Sequence, residues 1–344
     1  MASIELIKKL SNAFGVSGSE DEVIDIIKKE IAGFVDHIEV DNLKNLIALK
    51  NLDLPKEKIM LNAHMDEVGL LVKGIAEKGY VRFLKVGGID DRLLPGKRVL
   101  IGKNRVEGVI SAKPIHLQKE LERNSSITYD RLVIDIGAKS KEEASKLINV
   151  GDPIIFNTGF EQLSNRRYSG KAFDDRLGCA LITDILKEDL KVPIIAMFSS
   201  QEEVGLRGAT VGAFKYTGDI SITIEGTIAA DFPDVRESEK CSSLGNGPVI
   251  TIKDGSVITD HDLRNKLVHL AEKLKIPYQF KQVVAGGTDS SRIQLTKGGV
   301  RVLVVAVPVR YIHSPVSVFD IEDYNATKRL IIEFIKNYYG GKHD

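Results

Sequence analysis

The sequence predicts an α/β domain, a mixed sheet flanked by helices, interrupted by a small inserted β-rich domain. Two observations predict it. Helical and strand patterns alternate at both ends of the 344-residue chain, and between them residues 68–164 change to short β runs divided by turn signals. A third observation concerns the outer part: its apolar strands repeatedly end in His, Asp or Glu.

In chain order, Ser3 caps a first helix with Leu6, Ile7 and Leu10 on one face, stopping at Gly15. Ser19 and Glu22 in "SGSEDEVIDIIKKEIAGF" give a capping-box signature for a second amphipathic helix. "HIEVD" and "NLIALK" read as a strand pair around a turn, and "KIMLNAHMD" as a third strand. From Val68 to Ser164 the strands are "GLLVKGI", "YVRFLKV", "KRVLIG", "RVEGVISA", "RLVIDIG" and "DPIIF". Only "SKEEASKLI" is helical there, with Ser140 and Glu143 as its capping box, so this segment reads as a small β-barrel. The alternation resumes at "DDRLGCALITDILKEDL" and runs through "VPIIAMFSS", "RGATVGAFKY", "DISITIEG", "DLRNKLVHLAEKL", "SRIQLT" and "VRVLVVAVP" to a final helix from Ile321. The expected division is 1–67 plus 165–344 for the outer domain and 68–164 for the insertion.

Composition narrows the function. Lys plus Arg equal Asp plus Glu, 48 each, so the net charge of zero gives no support for nucleic-acid or acidic-membrane binding. No apolar run approaches the roughly 20 residues that span a bilayer. The start "MASIELIKKLSNAFG" lacks a signal-peptide profile, so the cytoplasm is the expected location. Cys179 and Cys241 are the only cysteines, which excludes a disulfide framework or a four-thiolate zinc site; Cys179 reads as a small buried hydrophobe.

In open α/β sheets ligands collect beyond the carboxyl ends of the strands. Here those ends carry His64 and Asp66 in "HMDEVG", Glu202 and Glu203 in "FSSQEEVGLRG", Glu225 after "DISITI" and His313 after "VRVLVVAVPVRYI". Asp174 and Asp175 open the helix after the insertion. Each alone has a plain alternative: a hydrogen-bonded histidine, a helix N-cap, a solvated Glu-Glu turn. Repeated unpaired charge at buried strand ends is costly, and the joint pattern points to metal. Imidazole and carboxylate without thiolate suit zinc or cobalt, with manganese as a further option. With Asp174 bridging, Glu203 and Glu225 on one ion each, and His64 and His313 completing the shells, three carboxylates face two dications. One hydroxide balances the remaining charge. Glu202 is then left over as a general base. Asp66 either orients His64 or belongs to an ordinary strand-end turn.

"AHMDEVG", "GKAFDDRLGC", "SSQEEVGLRGA", "ITIEGTIAADFP", "GGTDSS" and "RYIHSPVSVFDIED" together resemble the signature segments of the tetrahedral aminopeptidases. These are dinuclear metallopeptidases of the glutamyl and leucyl aminopeptidase type, some of them labelled cellulases. The resemblance implies His64, Asp174 and Glu225 around one divalent ion and Asp174, Glu203 and His313 around the other. It implies Glu202 as base, Asp66 as orienter, and a catalytic metallopeptidase domain whose β insertion serves dimerisation. It further implies dimers assembled into a hollow dodecamer acting on peptide substrates. Glu225 stands where many members have Asp, and Asp231, six residues on, is its rival. The "AGGTDSS" loop lies near the substrate by the same analogy, making Thr288 and Asp289 binding candidates; a tight turn is the alternative. Arg310 either faces substrate or makes an internal ion pair. His116 reads as a surface histidine.

The expected activity is metal-dependent removal of N-terminal residues from peptides. Its rivals are a metal-dependent amidase or deacylase on the same scaffold, a glycoside hydrolase using two carboxylates, and a non-enzymatic peptide-binding shell.

Overall fold

The computed structural model describes residues 4–125 and 127–340. Among these residues an eleven-stranded mixed sheet and a closed six-stranded barrel form separately. Helices α1 (Ile4–Asn12) and α2 (Asp21–Ile31) bury the stripes Leu6, Ile7, Leu10 and Val23, Ile24, Ile27. Strands β1 (His37–Val40) and β2 (Leu46–Lys50) pair antiparallel, and β3 (Ile59–His64) is buried throughout. The barrel follows: β4 (Gly69–Ile75), β5 (Val81–Val86), β6 (Arg98–Ile101), β7 (Val106–Ile110), β8 (Ile134–Asp135) and β9 (Pro153–Phe156), closed in the order β4-β5-β8-β7-β6-β9. Short helices α3 (Glu120–Arg123) and α4 (Lys141–Ser145) sit between its strands.

The chain then returns through β10 (Glu161–Gln162) and β11 (Arg167–Gly170) to helix α5 (Phe173–Lys187). After β12 (Ile194–Ser199), α6 (Arg207–Lys215) and β13 (Ile220–Ile228) come β14 (Val249–Ile250), α7 (His261–Lys273) and β15 (Gln279–Phe280). Helix α8 (Ser290–Gln294), β16 (Arg301–Arg310), β17 (Ser317–Asp320) and α9 (Ile321–Gly340) complete the fold.

Along the sheet the order is β1-β2-β12-β3-β13-β16-β17-β11-β10, with β14 on β16 and β15 on β14. The central β12, β3, β13 and β16 run parallel and are covered on both faces, which is why they read as continuous apolar runs. Alternation along them is strict. Leu61 and Ala196 pack into the core shared with Leu177 and Leu181 of α5, while Met60 and Met197 pack with Ala209 of α6 and Ile293 of α8. Each large side chain buried in this way contributes about 1.5–3 kcal/mol. The barrel keeps its own core around Leu70, Phe83, Val99 and Ile134. Phe14 and Val16 meet Val86 and Ile155 in a small apolar cluster, and Arg105 pairs with Glu22 at 2.7 Å, so barrel and helical layer are joined beside the sheet.

Four local expectations change. The Ser19–Glu22 capping box does not form: Glu20 is the N-cap and lacks a side-chain cap bond, because Glu22 accepts from Phe14 N and from Arg105. The Ser140 box forms by half. Ser140 Oγ accepts from Glu143 N at 3.3 Å, but the Glu143 carboxylate takes Lys139 N instead. The insertion contains a second helical turn, α3, besides α4, and Glu161–Gln162 pairs on the large sheet rather than in the barrel. The Ser3 cap lies outside the described residues.

Candidate metal centre

Parallel pairing puts the carboxyl ends of the central strands at one level: His64, the last residue of β3, stands opposite Ser199, the last of β12. Glu202 and Glu203 follow β12 after the two intervening residues Ser200 and Gln201, Glu225 sits on β13, His313 follows β16, and Asp174 lies at the irregular start of α5. All six meet. His64 Nε2 is 3.4 Å from Asp174 Oδ1 and 3.7 Å from Glu225 Oε2. His313 Nε2 is 3.5 Å from Asp174 Oδ2 and 3.3 Å from Glu203 Oε1. Asp174 thus presents one oxygen to each imidazole. Two compact sets of possible ligands result, His64–Asp174–Glu225 and Asp174–Glu203–His313, and a third, His64–Glu202–Glu203, places Glu202 beside both.

The imidazoles are fixed from behind. His64 Nδ1 lies 3.1 Å from the Asp66 carbonyl and His313 Nδ1 lies 3.2 Å from the Gly88 carbonyl, so each ring donates there and turns Nε2 inward. Gly88 belongs to the inserted segment, so the β-rich insertion helps build the centre.

The Glu202–Glu203 turn has its own anchor. Asp66, 0% exposed, accepts from Glu202 N at 2.9 Å, Glu203 N at 3.1 Å and Ser17 Oγ at 2.6 Å. Glu20, also buried, accepts from Gln201 N at 3.2 Å and from Gly18 N at 2.7 Å. Three consecutive N–H groups point inward onto two carboxylates, with Gln201 held at φ 54°, and the Glu202 and Glu203 side chains emerge into the centre. Asp175 is the helix cap that sequence left open for the pair: its carboxylate accepts from Gly178 N at 3.0 Å and His64 N at 3.2 Å, leaving Asp174 free. Gly226 permits the approach, since a Cβ there would lie 2.9 Å from Asp174 Cα. Beneath, buried Glu67 accepts from Lys171 Nζ at 2.7 Å and Arg176 at 3.0 Å, bracing the start of α5 against the "HMDE" turn.

Charge in the cluster is lopsided. Burial pushes the Glu202 and Glu225 carboxyls well above the ordinary range, and Glu203 to about 7. Burial acts downward on His64, but the carboxylates of Glu202, Asp174 and Asp66 outweigh it and raise the ring well above its usual value. His313 behaves alike, burial opposed by Asp174 and Glu203, and reaches about 9. Burial raises Asp174 too, but the neighbouring His313 and His64 rings, in ion-pair contact with its two oxygens, prevail and hold it low. Protons are thus drawn to a site with more carboxylate than protein cation, and Asp174 Oδ1 and Glu225 Oε1 are buried with no hydrogen-bond partner. Divalent cations would satisfy both. The nitrogen and oxygen donor set fits them without thiolate, since Cys179 Sγ is turned to the His64 carbonyl at 3.1 Å.

A cleft of about 440 Å³ opens on this cluster, lined on other sides by Thr251, Lys281, Gly286, Gly287 and Thr288. Thr288 therefore reaches the cleft as expected. Asp289 does not: it is 0% exposed and its carboxylate accepts from Asn62 Nδ2 at 3.0 Å and from Ser199 Oγ. Arg310 takes its ion-pair alternative, donating to Asp231 at 2.6 and 2.8 Å, so both leave the set of substrate contacts. The same pair occupies Asp231, the rival to Glu225, as a structural residue. His116 is exposed on the insertion. Sequence reasoning missed Glu20, Glu67 and Lys281. Glu20 and Glu67 look like surface acids at a helix start and a turn, because the groups they accept from lie up to 181 residues away. Lys281, next to an apolar pair before a glycine loop, carried no periodic signal.

A family profile described as M42 glutamyl aminopeptidase matches residues 44–330. The lysyl aminopeptidase of Pyrococcus furiosus is 32% identical over 342 residues, 96% of each chain. The TET aminopeptidase from the marine sediment archaeon Thaumarchaeota archaeon SCGC AB-539-E09 superposes with a TM-score of 0.93 at 34% identity, covering 97% of this chain and 96% of that one. The TET1 peptidase of Pyrococcus horikoshii, described as able to assemble into a tetrahedron or a large octahedral shell, does so with a TM-score of 0.84 at 38% identity, over 96% and 98%.

Proposed function

The chain belongs to the M42 glutamyl aminopeptidase family and is a metal-dependent aminopeptidase, and we propose that it works through two divalent ions with Glu202 as general base. The observation that carries this reading is Asp174, whose two oxygens face two separate imidazoles, each joined by its own glutamate. His64, Asp174 and Glu225 would hold one ion and Asp174, Glu203 and His313 the other; zinc or cobalt suits the donors, with manganese also compatible. Bound there, divalent ions polarise a peptide carbonyl and lower the pKa of water.

The chain's own residues do the rest. Glu202 takes the proton of the attacking water and returns it to the departing amine, a transfer worth about 10²–10⁴-fold in rate. Asp66 and Glu20 hold the turn that aims Glu202. The cleft receives the residue to be removed. Dimers joined through the barrel and assembled into a dodecamer belong to the same proposal; what supports it is homo-oligomer formation by TET1 of Pyrococcus horikoshii, described as a dodecamer and as able to assemble into a tetrahedron or a large octahedral shell.

The test is mass spectrometry of a peptide pool, half of it N-terminally acetylated, incubated with protein and zinc or cobalt. The reading predicts stepwise loss from free N-termini only, abolished by a chelator and by Glu202→Gln. Peptides untouched under every metal would overturn it, and chelator-resistant cleavage of a glycoside would favour the carboxylate-pair alternative.

A further inference from the structure

One wall of the cleft is the loop of residues 281–288 that joins β15 to α8, of which Lys281, Ala285, Gly286, Gly287 and Thr288 face the opening. Glycine loses more conformational freedom on ordering than any other residue, so a loop of this kind keeps one shape only when something ties it down. The tie is a hairpin that follows β14. Thr259 N donates to the Ile252 carbonyl at 3.1 Å, Lys253 pairs with Ile258, and Asp254 N donates to the Val257 carbonyl at 3.1 Å to close the tip.

The Asp254 carboxylate joins this tip to the loop. It is 0% exposed, and Oδ1 accepts from Ser256 N and Val257 N, both at 2.7 Å, which sets the turn from within. Oδ2 reaches across and accepts from Thr288 Oγ1 at 3.3 Å. On either side the two segments exchange further bonds: Gly255 N donates to the Gly286 carbonyl at 2.8 Å, and Thr288 N donates to Ser256 Oγ at 3.4 Å. Within the loop, Lys281 Nζ donates to the Ala285 carbonyl at 2.9 Å. Contact at the tip is close enough that a Cβ on Gly255 would lie 2.5 Å from the Gly286 carbonyl oxygen. Asp254 itself stands behind the loop, outside the cleft lining.

We infer that Asp254 is a positioning residue for substrate binding, which through the hairpin tip holds the glycine loop as a preformed wall for the peptide. The inference rests on the aminopeptidase activity and assigns this hairpin a part in it. Hydrolysis needs the scissile carbonyl at the proposed metal centre, so the residues beside that bond lie along the cleft walls. A wall already in place spares the peptide the cost of ordering it. Contacts with such a wall are equal in the ground state and the transition state, so loosening it raises KM and leaves kcat. The expected rise in KM is about tenfold, the order carried by one hydrogen bond to a charged group. A hairpin that served stability alone would shift the melting temperature and leave KM where it is.

The experiment measures kcat and KM on the free-amine peptide that wild type cleaves best, for wild type, Asp254→Ala, Asp254→Asn and Gly255→Ala, with thermal melts of each. Amide hydrogen exchange across 253–258 and 285–289 is followed alongside in wild type, which needs no variant to fold. The inference predicts slow exchange of the Gly255 amide in wild type, and a KM raised about tenfold at unchanged kcat in Asp254→Ala. Gly255→Ala does the same by pushing the Gly286 carbonyl away, with every Asp254 atom still present, so it decides the matter if Asp254→Ala fails to fold. Asp254→Asn stays near wild type, because its oxygen still accepts in the tip and its amide nitrogen donates to Thr288 Oγ1. A KM unchanged in both alanine variants, a loss that falls on kcat instead, or wild-type exchange of the Gly255 amide at the rate of an unstructured peptide overturns the role of Asp254 and leaves the aminopeptidase standing. No turnover of any free-amine peptide by wild type overturns the aminopeptidase reading and this inference with it.

Discussion

Replacing Asp66 with Asn tests whether the Glu202–Glu203 turn is held by the carboxylate behind it. Oδ1 accepts from Glu202 N, and Oδ2 accepts from Glu203 N and Ser17 Oγ. A carboxamide offers one acceptor oxygen and one amide nitrogen, so whichever way it sits, one backbone N–H faces a donor. Asp66 is 0% exposed, so water cannot substitute, and a buried group left unsatisfied costs about 1–3 kcal/mol. Against a typical stability of about 5–15 kcal/mol the variant stays folded at 25 °C. Activity is then a test of position. The Asp66 carboxylate also lies 3.5 Å from His64 Nδ1, and losing such outer partners of a metal site typically costs about 10–100-fold. The assay pairs urea unfolding with kcat/KM on a free-amine peptide at saturating metal. The expected outcome is a lower midpoint together with a kcat/KM reduced about 10–100-fold. Wild-type values for both would refute the argument that Asp66 aims the glutamates.

Three further outcomes follow from the same geometry. Metal-free protein loses stability as pH rises: Glu203 is raised to about 7 and His313 to about 9, so the folded state binds more protons than the unfolded one from about 4.5 to 9, and stability falls through that window. Thermal melts across pH show this slope without metal and a flatter profile with zinc; a rising melting temperature in the chelated protein would contradict it. Gly226→Ala places a Cβ 2.9 Å from Asp174 Cα, backbone that cannot rotate away, and costs about 1–3 kcal/mol with weaker metal uptake, checked by denaturation and calorimetric titration. Lys171→Met leaves buried Glu67 with Arg176 alone, costs about 3–5 kcal/mol, and is read from the unfolding midpoint.

The fold was legible where local pattern and tertiary role agree. The parallel strands "KIMLNA", "IIAMFS" and "VRVLVVAV" are apolar because both faces are covered, and the polar residues at their ends converge because parallel strands finish together. That logic brought out His64, Glu202, Glu203, Glu225 and His313. It faltered where a local motif meets a distant competitor. Glu22 abandons its capping box for Arg105, 83 residues on, and Arg310 is claimed by Asp231, 79 residues before it. Asp289 reads as a loop acid yet is taken inside by Asn62 and Ser199, which no spacing rule connects to it. Glu20 shows the converse: an ordinary helix-start acid in sequence, it closes the turn beside the proposed base.

The measurement that bears most directly on the centre is anomalous scattering from crystals grown with zinc. Two peaks are predicted, one among His64, Asp174 and Glu225 and one among Asp174, Glu203 and His313, with both lost in Asp174→Ala. A single peak away from Asp174, or none under saturating metal, would contradict the dinuclear site.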